Sequence, residues 1–217
     1  DVETIDITAN TTTALTVTAD KATTLNISGS SVTLDTTGSD LVSLVEASTM
    51  GGGLNYTTNG NISMTVNTGS GSDIIEATGS EDVINTGAGN DRLTATATAS
   101  AVTLNGGDGN DTFDMTSAAL GLEAYATLDA TSGDTIEINA STFLSTGVVV
   151  TDPAAMTLTD WLTAAFVQTN AGDAIWFEEA GNTYLVDNSG GNDFDAAADV
   201  VIKIQGVVDL STEASFN

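Results

Sequence analysis

Aspartates recur beside glycines at a fixed spacing in the middle of the chain. Residues 106–114 read GGDGNDTFD, and the segments TGSGSDIIE at 68–76 and TGAGNDRLT at 86–94 differ from that arrangement at the first glycine. Each six-residue turn ends in a carboxylate, supplied by Asp73, Asp91 or Asp111. Carboxylate and backbone carbonyl oxygens bind hard cations, and glycine permits the tight turns that aim carbonyls at an ion. The spacing predicts repeated turns that bind a cation.

Short β-strands must position these turns. Val66, Ile75, Ile84 and Leu93 are nine residues apart, and Phe113 takes the apolar place after a two-residue slip. Nearer the start, apolar residues come in pairs with one polar residue between them, in threonine-rich surroundings. These pairs are Ile5 and Ile7, Leu15 and Val17, Leu25 and Ile27, and Val32 and Leu34. Such pairs predict very short strands with one buried face, separated by tight turns. Their even spacing favours a solenoid over a threonine-rich loop region.

The nonapeptides resemble the calcium-binding RTX repeat, whose pattern is G-G-x-G-x-D-x-U-x with a large apolar residue at U. The segment 106–114 matches every position, and the segments at 68–76 and 86–94 miss only the first glycine. The resemblance implies an all-β fold, a parallel β-roll in which each nonapeptide forms half a coil. Residues 18 apart then stack on one edge. Asp73, Asp91 and Asp111 should form one column, since the last interval is 18 plus the slip of two.

The resemblance further implies that each aspartate bridges successive calcium ions, with two well-formed sites between the three turns. The predicted ligands and turn residues are Thr68, Gly69, Ser70, Gly71, Asp73, Thr86, Gly87, Ala88, Gly89, Asp91, Gly106, Gly107, Asp108, Gly109 and Asp111. Asn55, 18 residues before Asp73, predicts a weaker third site, and Asp134 is expected to close the column. Asp82 falls on the opposite edge between Met64 and Ser100. We expect it to be a solvated turn carboxylate, with calcium there as the alternative.

Charge and composition limit the function. Thirty acidic residues face only Lys21, Arg92 and Lys203, giving a net charge of -27. Nucleic acid and anionic membranes are poor partners for such a surface. The absence of cysteine and histidine excludes disulfides, zinc sites of the Cys/His type and imidazole-based catalysis. We therefore predict a non-catalytic protein whose folding depends on calcium.

The last hundred residues predict a different arrangement. MTLTDWLTAAFVQTN predicts the only helix, with Thr157 and Asp160 as a capping box and an apolar face that caps the open end of the roll. AIWFEEAGNTYLVDN predicts a β-hairpin, and VVIKIQG a further strand. We divide the chain into a roll at 1–121, with threonine-rich coils at 1–58 and RTX coils at 59–121, and a C-terminal capping and secretion-signal region at 122–217.

Two clusters of acidic residues in this region each allow a functional and a structural interpretation. The connection DNSGGNDFDAAAD carries Asp187, Asp193, Asp195 and Asp199, which either hold a further calcium ion or form a plain acidic turn. Its spacing matches no EF-hand loop. Glu178 and Glu179 are adjacent on a predicted strand and point to opposite faces, which argues against a glycosidase pair.

Residues 170–217 resemble the C-terminal segments of RTX-type proteins exported by type I secretion, notably bacterial S-layer proteins. The threonine-rich coils also look like S-layer sequence. The resemblance implies a secreted cell-surface protein that binds calcium, self-associates into a two-dimensional lattice and is recognised by the type I secretion machinery. Because it starts at Asp1 without methionine, the chain is expected to be the C-terminal part of a longer protein. The alternative function is the export and folding module of a secreted enzyme or adhesin.

Overall fold

The computed structural model describes residues 3–96, 100–118, 125–131, 133–140, 142–143, 157–166, 170–188, 194–195, 199–208 and 210. These residues form eighteen short strands and one helix. The elements are β1 (Thr4–Ala9), β2 (Thr13–Thr16), β3 (Thr24–Gly29), β4 (Val32–Asp35), β5 (Leu44–Glu46), β6 (Leu54–Thr57), β7 (Thr65–Asn67), β8 (Ile74–Ala77), β9 (Val83–Asn85), β10 (Arg92–Ala95), β11 (Thr103–Asn105), β12 (Thr112–Asp114), β13 (Ala126–Leu128), β14 (Thr135–Glu137), β15 (Thr142–Phe143), α1 (Leu158–Phe166), β16 (Asp173–Glu179), β17 (Asn182–Asn188) and β18 (Val200–Ile204).

Successive strands alternate between two parallel sheets. The odd-numbered strands from β1 to β13 pair in order in the first sheet, and the even-numbered strands from β2 to β14 pair in order in the second. The chain therefore completes one coil every two strands, because each strand hydrogen-bonds to the strand two places along. This arrangement is the predicted parallel β-roll, and the prediction of an all-β solenoid is confirmed.

The pairing register confirms the repeat arithmetic in the RTX coils. Val66 pairs with Ile84 in the first sheet, and Ile75 pairs with Leu93 in the second, both at the interval of 18. Ile84 then pairs with Leu104, and Leu93 with Phe113, at the interval of 20. The slip of two residues therefore lies between Leu93 and Leu104.

The core runs along the axis of the roll. Side chains alternate along the short strands, with apolar residues pointing inward and their neighbours outward, as the period of two in a strand requires. Stacked residues of the first sheet (Leu25, Val45, Val66, Ile84, Leu104, Leu128) and of the second (Ile75, Leu93, Phe113, Ile136) are all buried. They belong to one continuous apolar cluster, which also includes the threonine-rich coils. The strands beside the glycine-rich turns at 68–73, 86–91 and 106–111 thus share one core with the coils that precede them.

The predicted hairpin and final strand extend the first sheet beyond the coils. β16 and β17 pair antiparallel, with Ile175 opposite Val186 and Phe177 opposite Tyr184, as expected. β18 pairs with β17 on one side and runs parallel to β13 on the other. One face of this extension, which includes Leu185, continues the core of the roll.

The helix does not cap the open end of the roll, which corrects our expectation. Leu162 of α1 packs instead with Phe177, Tyr184 and Val201 on the opposite face of the hairpin sheet. Alternation gives these strands two apolar faces, so the face turned away from the roll also needs a cover. The predicted capping box is confirmed: the Thr157 N–H donates to Asp160 Oδ2 at 2.8 Å, and the Asp160 N–H donates to Thr157 Oγ1 at 3.3 Å.

Candidate metal centre

The aspartates that end the turns form a hydrogen-bonded column along one edge of the roll. The Asp73 N–H donates to Asp91 Oδ1 at 2.8 Å, and the Asp91 N–H donates to Asp111 Oδ1 at 2.9 Å. The Asp111 N–H donates to Asp134 Oδ1 at 2.8 Å in the same way. Each carboxylate therefore reaches back to the preceding coil. The predicted column is confirmed, and Asp134 closes it as expected. We refer to Asp73, Asp91, Asp111 and Asp134 as the RTX column.

The second carboxylate oxygens differ along this column. Oδ2 of Asp73 accepts a hydrogen bond from the Thr68 hydroxyl, and Oδ2 of Asp134 accepts one from the Thr131 N–H at 2.7 Å. Oδ2 of Asp91 and Oδ2 of Asp111 are buried and have no hydrogen-bond partner. The middle of the column therefore presents two anionic oxygens without a donor.

Burial raises the pKa of Asp73, Asp91 and Asp111. For Asp111 the pKa rises to about 6, because burial is reinforced by the charges of Asp134, Asp91 and Asp129. A buried carboxylate needs a proton, a donor or a cation. Arg92, the only basic residue within 59–121, does not fill that role. Its guanidinium pairs with Asp114 at 2.5 Å and with Glu137 at 2.7 Å on the outer face.

Glycines are required in the turns because the coils approach closely. Gly87 and Gly107 have φ angles of 89° and 84°, in the left-handed region that favours glycine. A Cβ at Gly107 would overlap the carbonyl oxygen of Gly87 in the preceding coil. A Cβ at Gly109 would overlap the Gly89 carbonyl oxygen in the same way. The turns thus stack glycine on carbonyl, and the carboxylate and carbonyl oxygens on this edge are of the type that calcium prefers.

A family model for the RTX calcium-binding nonapeptide repeat matches residues 67–96 and 94–114. The chain carries RTX calcium-binding repeats. A comparison with curated proteins finds no match. RTX repeats bind calcium and are typical of secreted proteins. Among the described residues, no helix is both long enough and apolar enough to cross a bilayer.

The remaining predicted residues of the RTX turns form the backbone ladder between coils. The Ala88 N–H donates to the Gly69 carbonyl at 2.9 Å, and the Asp108 N–H donates to the Gly87 carbonyl at 2.8 Å. The side chain of Asp108 is exposed, unlike that of Asp111. The other turn residues that the sequence singled out, Ser70, Gly71, Thr86, Gly89, Gly106 and Gly109, lie in the same stacked turns. The three turns are therefore brought together as predicted.

The prediction for Asn55 is wrong. Asn55 pairs with Ile74 in the neighbouring strand and is exposed, so the residue that stacks on Asp73 is Leu54. The Leu54 N–H donates to Asp73 Oδ1 at 2.6 Å. The interval between these coils is 19 residues, because Tyr56 pairs with Ile75. The RTX column is therefore preceded by an apolar residue, whose side chain supplies no oxygen for a third site.

Asp129 is a neighbour of the RTX column that the sequence analysis missed. Its Oδ1 accepts a hydrogen bond from the Gly106 N–H at 2.8 Å, and its Oδ2 accepts one from the Gly107 N–H at 3.3 Å. In the turn DATSGD, Asp129 stands five residues before Asp134, as Gly106 stands before Asp111. Aligning this turn on its final aspartate would have identified Asp129.

Asp82, on the opposite edge, is fully buried, so the expectation of a solvated turn carboxylate is wrong. Its Oδ1 accepts a hydrogen bond from the Met64 N–H at 2.8 Å. Its Oδ2 accepts hydrogen bonds from the Thr58 hydroxyl at 2.6 Å and the Gly79 N–H at 3.0 Å. Met64 stacks below Asp82 as predicted. Ser100 instead bridges to Ser80, because the slip displaces the next coil by two residues.

Proposed function

We propose that calcium binds along the RTX column, at the turns 68–73, 86–91 and 106–111, with Asp91 and Asp111 as its central ligands. The observation that carries the proposal is the pair of buried, unpartnered Oδ2 atoms on these two residues. When bound, calcium supplies the positive charge that these oxygens lack. Asp73 and Asp134 flank the central pair, and the stacked glycine turns supply backbone carbonyls.

Calcium binding and folding are coupled in this proposal. A chain with 30 acidic and three basic residues repels itself as it compacts. The column adds buried carboxylates with raised pKa values, which disfavour the ion-free fold at neutral pH. A cation that binds only the folded state opposes both effects by mass action. Low calcium inside a cell then keeps the chain unfolded for export, and calcium outside folds it.

We further propose that the chain is the calcium-ordered part of a non-catalytic surface-layer protein, exported by type I secretion and assembled into a two-dimensional lattice at the cell surface. One feature supports a structural role. The roll extends through the threonine-rich coils from β1 onward, on one core with the RTX coils. Residues 122–217 serve as cap and secretion signal.

Assembly of the intact protein tests the lattice proposal. Purified protein is dialysed from chelator into calcium and imaged by negative-stain electron microscopy, with light scattering to follow particle size. We expect ordered sheets in calcium and none in chelator. The double variant Asp91→Asn with Asp111→Asn is the matched control, because it removes the proposed ligands while nearly preserving side-chain size. Protein that folds on calcium but stays monodisperse and shows hydrolase or adhesive activity supports the export-module alternative instead.

A further inference from the structure

A second acidic site lies outside the roll, where β17 turns back into β18. Asp187 is near the end of β17 and pairs with Val200, the first residue of β18. Asp199 directly precedes Val200, so the two aspartates stand at the base of one connection. Both are buried, with 4% and 1% of their surface exposed. Two carboxylates are therefore held out of water at adjacent strand ends.

One oxygen of this pair lacks a partner. Asp187 Oδ1 is buried and accepts no hydrogen bond. Asp199 Oδ2, in contrast, accepts a hydrogen bond from the Asp195 N–H at 2.7 Å, and the Asp199 N–H donates to the Asp195 carbonyl at 2.8 Å. Asp195 and Asp199 are thus linked to each other by two hydrogen bonds. The unpartnered oxygen belongs to Asp187 in β17.

The pairing of Asp187 with Val200 brings Asp199 next to it in the fold. Burial raises the pKa of Asp187, and the charge of Asp199 raises it further. An uncompensated buried carboxylate is strongly unfavourable, and a like charge nearby makes it more so. The Asp187 carboxylate therefore requires a proton, a donor or a cation, and at neutral pH a cation with a preference for oxygen satisfies its unpartnered Oδ1.

We propose that Asp187 and Asp199 bind a divalent cation of the calcium class at the base of the β17–β18 connection. The ligands are hard carboxylate oxygens with no nitrogen or sulfur donor, which favours calcium over zinc or copper. The site is separate from the RTX column, because its residues come from the C-terminal hairpin sheet. Its role is to hold together the strands that continue the first sheet beyond the last coil.

A buried water molecule is the competing occupant. Trp176 Nε1 is also buried without an acceptor. Trp176 pairs with Leu185, and Asp187 pairs with Ala174, so Trp176 and Asp187 are diagonal neighbours on one face of the hairpin. A water molecule bridging the indole N–H and Asp187 Oδ1 would satisfy both atoms without a metal. The tests must separate these two occupants.

Thermal unfolding of Asp187→Asn, in chelator and in calcium, provides the first test. Asparagine removes a buried charge and retains an oxygen, so in chelator we expect a melting temperature equal to or above that of the wild type. The rise in melting temperature on adding calcium should be smaller than in the wild type. Glu178→Gln, which removes an exposed carboxylate from the same hairpin, is the matched control and should keep the full calcium-induced rise. An unchanged rise in Asp187→Asn overturns the proposal and favours the bridging water.

Terbium luminescence provides the second test, because terbium replaces calcium and emits when an excited indole lies near it. The chain has two tryptophans, Trp161 in α1 and Trp176 in β16. Excitation at the red edge of indole absorption, where tyrosine does not absorb, selects ions near the hairpin. We expect sensitised emission in the wild type and its loss in Asp187→Asn and Asp199→Asn. Emission that persists in both variants overturns the proposal.

A separate variant tests whether ions bound at the RTX column cause the indole-sensitised emission. Asp91→Asn with Asp111→Asn should retain indole-sensitised emission, provided that circular dichroism shows the hairpin region folded in calcium. If this double variant loses calcium-dependent folding of the roll but keeps the emission, the two sites are independent. If Asp187→Asn loses the emission while the roll folds on calcium, the hairpin site is established separately from the column. Loss of emission in the folded double variant overturns the assignment to the hairpin.

Discussion

Both edges of the roll carry buried aspartates at the ends of turns, but the hydrogen bonding of the second carboxylate oxygen differs between the edges. Asp82 lies on one edge, and Asp91 and Asp111 lie on the other. All three are buried at the end of a turn, and Oδ1 of each accepts a hydrogen bond from a backbone N–H of the preceding coil. The Oδ2 atoms differ. That of Asp82 accepts hydrogen bonds from Thr58 and Gly79, whereas those of Asp91 and Asp111 accept none.

The second carboxylate oxygen distinguishes the two edges. At Asp82 a hydroxyl and a backbone N–H supply the positive ends of dipoles, which stabilise the carboxylate without an ion. At Asp91 and Asp111 no hydrogen-bond donor reaches Oδ2. The edge of Asp91 and Asp111 is therefore the one at which we propose calcium.

Removal of calcium should have the largest effect. Each ion that binds only the folded state adds about 2.7 kcal/mol when calcium is at about 100 times its dissociation constant, so two ions contribute about 5 kcal/mol if independent. That is comparable with the stability of a small domain, for which about 5–15 kcal/mol is usual. We expect chelator to lower the melting temperature followed by circular dichroism more than any single substitution does, and calcium to restore it. Full retention of signal and melting temperature in chelator would contradict calcium-dependent folding.

Matched substitutions on the two edges should differ in how their effect on the free energy of unfolding depends on calcium. Asp91→Asn should lower the free energy of unfolding in calcium by about 2–3 kcal/mol through loss of an ion. In chelator it should be neutral or stabilising, because a buried charge is removed. Asp82→Asn should cost about 1–3 kcal/mol in both conditions, since its amide loses the acceptor for Thr58 and Gly79. Denaturant unfolding with and without calcium measures the change in the free energy of unfolding for each variant. Equal responses of the two variants to calcium would remove the distinction between the edges.

The pH dependence of the chelated protein should reveal the raised carboxyl pKa values of the column. The pKa of Asp111 is about 6 in the fold, against an ordinary value of 3.8, so the folded state binds more protons between these values. The free energy of unfolding in chelator should therefore rise as the pH falls through about 6 and level off near the ordinary value. In calcium the trend should reverse, because protons compete for the same oxygens. Asp111→Asn should flatten the chelator profile, and an unchanged profile would show that Asp111 is not responsible.

Thr58→Val tests whether the hydroxyl keeps Asp82 free of calcium. The substitution preserves shape but removes the 2.6 Å hydrogen bond to Asp82 Oδ2. We expect a loss of about 1–3 kcal/mol, typical of a hydrogen bond to a charged group, and the same loss in calcium and in chelator. Calorimetric titration should give an unchanged number of calcium ions. An additional ion in this variant would show that the hydroxyl itself excludes calcium from this edge.

Arg92→Gln should have the smallest effect. Arg92 bridges Asp114 and Glu137 on the outer face of the second sheet, and its side chain is 41% exposed. Exposed ion pairs usually contribute about 0–1 kcal/mol, so a loss below about 1 kcal/mol is expected with or without calcium. Chemical denaturation in both conditions measures the loss. A large calcium-dependent loss would place Arg92 in the ion-binding machinery of the column.

The sequence by itself determined the roll, because the solenoid repeats one local rule. Apolar residues nine apart, such as Val66 and Ile75, require alternating strands, and glycines at fixed places require tight turns. Stacking at intervals of 18 then follows by counting, which placed Asp73, Asp91 and Asp111 in one column. The hairpin was predictable for the same reason, since period-two strands and a short turn are local signals.

Only the tertiary structure decided how coils of unequal length align and which donors reach each carboxylate. A one-residue difference in coil length placed Leu54, not Asn55, below Asp73, and no local signal reveals that register. The hydroxyl that satisfies Asp82 comes from Thr58, 24 residues away, and the carboxylate on the Gly106 N–H comes from Asp129, 23 residues away. The helix packs on the outer face of the hairpin because the pairing of β18 with β13 decides which of the two apolar faces turns toward the roll. Counting residues gives positions along the roll, whereas contacts between coils depend on the register in which they pack.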